Sequence, residues 1–223
     1  MIAKYQRIAA PLANRVIGSI TADITRAQNA AGESALGDVI ADAQLADTRP
    51  AAKGIAVVAF MNPGGIRADL TFSQISGSEA PGQVTYGESF TVQPFGNTLM
   101  TMTLTGAQID TMLEQQWSGV GNTAAPKVLQ VSSGFTYTWD ASRPVGDRVD
   151  PATIRIGGTA VTASGLYRVT VNSFLADGGD GFAILTQGTN RLGGAVDTDA
   201  LEAYFRANSP VPPGPRNRIT RVN

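Results

Sequence analysis

The stretch Phe174-Leu-Ala-Asp-Gly-Gly-Asp-Gly-Phe182 concentrates residue types suited to holding a ligand. Before it, Tyr167-Arg-Val-Thr-Val-Asn172 alternates apolar and polar side chains, the period of a half-buried strand. The strand runs into Gly178, Gly179 and Gly181, which reach backbone angles and close approaches that a Cβ resists. Such a loop can aim one carboxylate, that of Asp180, and keep it still. Phe174 and Phe182 bracket the loop with flat apolar faces. A carboxylate beside an aromatic face suits a ligand with a ring and hydroxyls, such as a nucleoside or a sugar. The plainer reading is a tight strand-ending turn with two core phenylalanines.

A second loop, Met61-Asn-Pro-Gly-Gly-Ile-Arg67, follows the apolar run Gly54-Ile-Ala-Val-Val-Ala-Phe60. The run is short, continuous and rich in β-branched residues, so it reads as a strand buried on both faces. A glycine loop leaving such a strand exposes backbone N–H groups that can bind an anion. Arg67 can add a bidentate fork for phosphate or carboxylate. The Gly-Lys-Ser/Thr ending of a Walker loop is missing. The alternative is a turn with a surface arginine. In Gln93-Pro-Phe-Gly-Asn-Thr98, Phe95 beside Gly96 reads as an aromatic on a bend, exposed or lining a pocket, although a core position is the default for a single phenylalanine.

The 223 residues carry 16% charged and 43% hydrophobic side chains and a net charge of −1. That balance gives no electrostatic case for nucleic acid as a partner. No apolar run approaches the length of a membrane span, and Met1-Ile-Ala-Lys-Tyr5 lacks the apolar core of a signal peptide. The chain contains no Cys and no His. Disulfides, thiolate metal sites and cysteine nucleophiles are excluded, and the imidazole on which zinc sites and serine triads rely is absent. A binding role is favoured, or a domain of a larger enzyme whose chemistry lies elsewhere.

The elements that would position these loops follow in order. Ile8, Leu12, Val16 and Ile17 have roughly helical spacing, in a connecting helix or a short strand. Ser34 is a helix N-cap, and Leu36, Val39, Ile40 and Ala43 form the apolar face of a helix ending near Asp47, with Arg49-Pro50 as its break. Residues 73–88 read as surface loop. Leu99 to Leu104 read as a strand, and Thr105 caps a helix carrying Ile109, Met112, Leu113 and Trp117. Val128–Val131 and Phe135–Trp139 read as strands, the second with its aromatics on one face as core. Gly157-Gly158 marks a hairpin between Ile154–Ile156 and Thr159–Val161. Asp197 is a candidate cap for a last helix with Leu201, Tyr204 and Phe205, and Arg216–Asn223 can return as a strand. The mixture predicts an α/β fold, one domain with mixed β-sheets and flanking helices.

Gly32-Glu-Ser-Ala-Leu-Gly-Asp-Val-Ile-Ala-Asp42 precedes Asn62–Arg67, Gln93–Thr98 and Phe174–Phe182. In this order and spacing the four motifs resemble the C-terminal domain of the 5′-nucleotidase family, over residues 10 to the end. The resemblance implies a layered substrate-binding domain over 1–223, with 1–20 as interdomain connector. It also implies a separate N-terminal metallophosphoesterase domain with two divalent metal ions, leaving no catalytic residue and no metal site in this chain. Phe95 and Phe174 match the family phenylalanines that sandwich the base. Asp180 matches the acid that holds ribose hydroxyls, Asn62 an asparagine at the nucleoside, and Arg67 an arginine near the phosphate. Gly64 and Gly65 allow close approach, and Arg26 is the candidate for an arginine ahead of the Gly-Glu-Ser helix. Pro63 stands where a glycine is common. The family's location, secreted, periplasmic or at the cell wall, is the expected one. Three other readings stand beside it: a free-standing nucleoside- or sugar-binding module, a calcium site on Asp177 and Asp180, and phosphate-ester hydrolysis by this chain alone.

Overall fold

The structure, a computed structural model, describes residues 9–223. Ile8 lies outside that range. The residues after it form a helical turn over 9–13 and then strand β1 (Val16–Ser19). Helix α1 (Ala35–Thr48) begins as expected. Ser34, in extended backbone, accepts the Gly37 amide at 3.1 Å. Leu36, Val39, Ile40 and Ala43 are all buried, and so are Asp38 and Gln44. The helix therefore crosses the interior rather than lying on the surface.

Strand β2 (Val58–Met61) takes up only the second half of the expected 54–60 run, and all of its residues are buried. Gly54 has φ 122 and Ile55 φ 57, so the chain turns there and the ladder cannot start earlier. Ile55 is left 60% exposed. The expected loop over 73–88 is also corrected. Strand β3 (Gln83–Thr85) leads into helix α2 (Tyr86–Val92), started by a reciprocal box between Thr85 and Glu88.

Strand β4 (Thr98–Thr105) and helix α3 (Gly106–Ser118) follow expectation, with a Thr105–Gln108 box at their junction. Strand β5 is only Gln130–Val131, and β6 (Phe135–Asp140) buries Phe135, Tyr137 and Trp139. The hairpin of β7 (Arg155–Ile156) and β8 (Thr159–Ala160) turns through Gly157 at φ 57 and Gly158 at φ 79. Strand β9 (Leu166–Asn172), helix α4 (Ser173–Ala176), strand β10 (Thr189–Val196) and helix α5 (Asp197–Asn208) complete the main body. Asp197 is the first helical residue and not the cap; its Oδ1 accepts from the Thr198 amide at 2.8 Å. Strand β11 (Ile219–Val222) returns parallel to β6.

The largest sheet has five strands in the order β10-β4-β9-β2-β5, and a four-stranded sheet runs β11-β6-β7-β8. A short ribbon pairs β1 with β3. One core, including Phe60, Trp117, Tyr137 and Phe182, joins the two larger sheets and α3. A second joins α1, α5 and the ribbon through Leu36, Ile40, Phe205 and Ile17. This is the expected single α/β domain with mixed sheets. Strand β9 lies at the middle of its sheet, so Val169 to Asn172 are buried on both faces, not half-buried as the alternation suggested. It pairs parallel with β2, Val58 opposite Val169, and antiparallel with β4, Leu99 opposite Asn172. The loops that leave β2 and β9 and the loop that enters β4 therefore emerge at one edge.

The C-terminal segment is clasped onto α1 by charge. Arg218 donates to both oxygens of Asp42 at 2.9 and 2.7 Å, Glu33 accepts the Arg218 amide at 3.0 Å, and Asp38 accepts the Arg216 amide at 2.9 Å. Burial pushes the Asp38 carboxyl up to about 7, with Glu33 adding to the rise and Arg218 opposing it. Burial likewise raises Asp197 to about 6. A carboxyl raised by folding keeps a proton that the unfolded chain has lost, so stability falls as pH rises from its ordinary value to its raised one. With no His in the chain, few other side chains titrate near neutrality. Urea denaturation should therefore give a lower stability at pH 8 than at pH 6, with Asp38 accounting for about 1 kcal/mol of the difference. Asp38→Asn should flatten most of that slope; an unchanged slope would mean that Asp38 stays ionised in the folded chain.

Candidate functional site

At the shared edge of β2, β9 and β4 lies a cavity of about 470 Å³ lined by Asn62, Gly64, Gly65, Arg67, Phe95, Asn97, Phe174 and Asp180. Its size falls in the range of small-molecule sites. Three separate loops supply these residues, brought together by the strand pairing. The sequence reading named all of them except Asn97. Arg26 alone falls elsewhere. It lines a neighbouring cavity of about 420 Å³ with Ser34, Pro63, Ile66 and Asp69, on the other flank of the 62–67 loop. Its Nη1 donates to the Ile66 carbonyl at 3.4 Å.

The carboxylate of Asp180 is held from both sides. Asn62 Nδ2 donates to Oδ2 at 2.7 Å, and Lys127 Nζ lies 2.6 Å from Oδ1. Asn62 is itself oriented: its Oδ1 accepts from Asn172 Nδ2 at 2.9 Å, and Asn172 Oδ1 accepts the Leu175 amide at 2.9 Å. Only 3% of Asn62 is exposed, so its amide is fixed in the wall of the cavity. Asp180 has φ 56, a left-handed conformation that costs a residue with a Cβ free energy and is sustained by its surroundings. Part of that support is Asn122, which donates to both the Asp180 and the Gln115 carbonyls at 2.8 Å.

The glycines of the loop permit contacts at close range. A Cβ on Gly179 would meet the Phe174 ring and carbonyl at 2.6 Å, so the ring lies directly against the loop. A Cβ on Gly181 would meet the Val120 backbone at 2.8 Å, where the turn after α3 packs on the loop. Phe174 is 46% exposed and Phe95 58% exposed, whereas Phe182 is fully buried in the core. The pair of aromatic faces therefore consists of Phe95 and Phe174, and Phe182 is structural. Arg67 sits with its guanidinium carbon 5.9 Å from the Phe95 ring centroid and donates to the Gly64 carbonyl at 3.3 Å. Its remaining donors are available beside the glycine loop.

The calcium reading fails on geometry. Asp177 pairs with Arg191 at 2.9 Å and Asp180 with Lys127, so the two acids go to different cations. Among the described residues no group of three or more His, Cys, Asp or Glu side chains could hold a metal ion. Four residues of the site were not singled out from sequence. Asn97 and Asn172 sit inside stretches that were, and a buried asparagine ending a strand is a usable signal. Asn122 and Lys127 come from a loop whose composition gives no sign of its destination.

Comparison with known proteins places these features in a wider group. A family model described as 5′-nucleotidase, C-terminal domain, matches residues 16–187. The chain is 36% identical over 197 residues to the trifunctional nucleotide phosphoesterase protein YfkN of Bacillus subtilis, covering 85% of this chain and 12% of that protein. It is 34% identical over 175 residues to cell wall protein Lmo0130 of Listeria monocytogenes, covering 78% of this chain and 21% of the relative. Among solved structures it resembles a 5′-nucleotidase precursor from Thermus thermophilus, with a TM-score of 0.83 and 35% identity, covering all of this chain and 42% of that one. The chain thus spans less than half the length of each protein it is compared with.

The packing of Gly179 on Phe174 gives a test that needs no ligand. Gly179→Ala should lower stability in urea denaturation by about 1–3 kcal/mol, because the Phe174 carbonyl cannot swing aside. Gly193→Ala, where the nearest atom would be Met100 Sδ at 3.6 Å, should change it little. Equal stability of the two variants would contradict the loop packing described.

Proposed function

Because the chain belongs to the 5′-nucleotidase C-terminal domain family, we propose that it is the nucleotide-binding domain of a two-domain, metal-dependent phosphoesterase. One cavity supports this assignment: it unites two exposed phenylalanine faces, a fixed carboxylate and a glycine loop carrying Arg67. Phe95 and Phe174 take the base between them, with stacking that contributes about 1–3 kcal/mol and tolerates different bases. Asp180 accepts from the sugar hydroxyls, a charge-assisted bond stronger than a neutral one. Arg67 and the amides beside Gly64 and Gly65 face the phosphate end. Arg26, across the 62–67 loop, approaches the phosphate from the other flank.

In this reading hydrolysis belongs to an N-terminal metallophosphoesterase domain, whose two divalent ions would activate water and offset charge at phosphorus. The residues of this chain bind the nucleotide and orient it. Residues 1–20 connect the two domains, and the pairing of β1 with β3 fastens that connector to this one. Relatives named as a nucleotide phosphoesterase and a cell wall protein favour a phosphate-ester substrate and an extracytoplasmic location.

Calorimetric titration with adenosine and AMP should give saturable binding. Phe174→Ala and Phe95→Ala should each weaken it about 5- to 150-fold, the equivalent of one stacked face. Binding that survives both substitutions undiminished would refute the stacking site, and no binding of either compound by the chain would refute the nucleoside reading.

A further inference from the structure

Lys127 is not among the residues lining the cavity, yet it touches Asp180, which is. It ends the loop after α3, and its amide donates to the Gln116 carbonyl at 3.0 Å, which fixes where its side chain starts. Its ammonium reaches Asp180 Oδ1 while Asn62 reaches Oδ2, so the carboxylate plane is set by two donors from different parts of the fold. A carboxylate oxygen has two acceptor positions. With one donor on each oxygen among the described residues, each oxygen keeps one acceptor position without a protein partner, on a residue that lines the cavity. Two neighbouring acceptors held in one plane suit two neighbouring hydroxyls on a sugar. Without Lys127 only the Asn62 bond restrains the last torsion of Asp180, a soft one, so the carboxylate plane is less firmly set.

We propose that Lys127 is a positioning residue that sets how strictly the cavity requires a sugar with two adjacent hydroxyls, which selects ribonucleosides over deoxyribonucleosides. The assignment rests on the nucleoside reading above and adds to it a determinant of sugar choice. The ammonium also offsets the charge of Asp180 where a phosphate-bearing ligand would approach. Lys127 acts only through Asp180, so its loss moves sugar discrimination and leaves base stacking in place.

The test is calorimetric titration of adenosine, 2′-deoxyadenosine and 3′-deoxyadenosine into the chain and its Lys127→Met and Lys127→Arg variants. The chain itself should prefer adenosine by about tenfold or more over either deoxy compound, as expected where a charged group loses a hydroxyl partner. Lys127→Met should bring that ratio to about threefold or less, through weaker adenosine binding, with the deoxy affinities little changed. Lys127→Arg, which keeps a cation in reach of Oδ1, should recover most of the ratio. If Lys127→Met does not fold, Lys127→Leu supplies the neutral variant without a donor. An unchanged ratio in a folded neutral variant overturns the role of Lys127 and leaves the nucleoside reading intact. Tighter adenosine binding in that variant overturns it too, since Lys127 would then compete with the sugar. Failure of the unsubstituted chain to bind any of the three overturns both.

Discussion

Parallel pairing of β2 with β9 is the constraint on which the rest of this architecture depends. Parallel neighbours send their following loops out at the same edge, and a strand antiparallel to one of them brings its preceding loop there as well. With Val58 opposite Val169 and Leu99 opposite Asn172, three loops far apart in sequence have no other place to meet. The sheet is buried on both faces around β9, so a one-residue slip would exchange Val169 and Val171 with Thr170 and Asn172 between the two faces and break the packing and hydrogen bonds of both. The site inherits the rigidity of that core. This is the behaviour of open sheets in general, where ligands sit beyond strand ends and not on sheet faces.

Within the site, rigidity is concentrated on one carboxylate. Asn172 ends β9 and starts α4, so its side chain is fixed by secondary structure before it orients Asn62. Asn62 in turn begins the loop after β2 and orients Asp180. Each step links a strand end to the next loop. The arrangement couples the core to the cavity through three successive hydrogen bonds. The clasp of Arg216 and Arg218 with Glu33, Asp38 and Asp42 does similar work along α1, tying the last strand to the helix that backs β2. Its cost is a buried carboxyl near neutrality.

Local signals in the sequence were the readable ones. Ser34 before an apolar period, Thr105 ahead of Ile109, Met112, Leu113 and Trp117, and Gly157-Gly158 between short strands each specify structure through nearby residues, and each is found as expected. Thr85 and Glu88 carry the same box signature as Thr105 and Gln108, yet the glycine and proline around them disguised helix α2 as loop. The 54–60 run misled because hydrophobicity cannot reveal a left-handed turn at Ile55. The alternation of β9 misled because Thr170 and Asn172, polar in sequence, are buried partners of Thr48 and Asn62. For the site, motif order identified the lining residues through family resemblance, and the strand pairing accounts for their meeting. Lys127 and Asn122 could not be found that way, since their importance comes from a contact across 53 and 58 residues of chain.

A crystal structure of the chain soaked with adenosine would test the nucleoside site without intermediaries. The adenine ring should lie between Phe95 and Phe174, the ribose hydroxyls on Asp180, with Asn62 and Lys127 still in contact with that carboxylate. Adenosine bound away from this cavity, or within it but with its sugar turned from Asp180, would rule out the nucleoside site described.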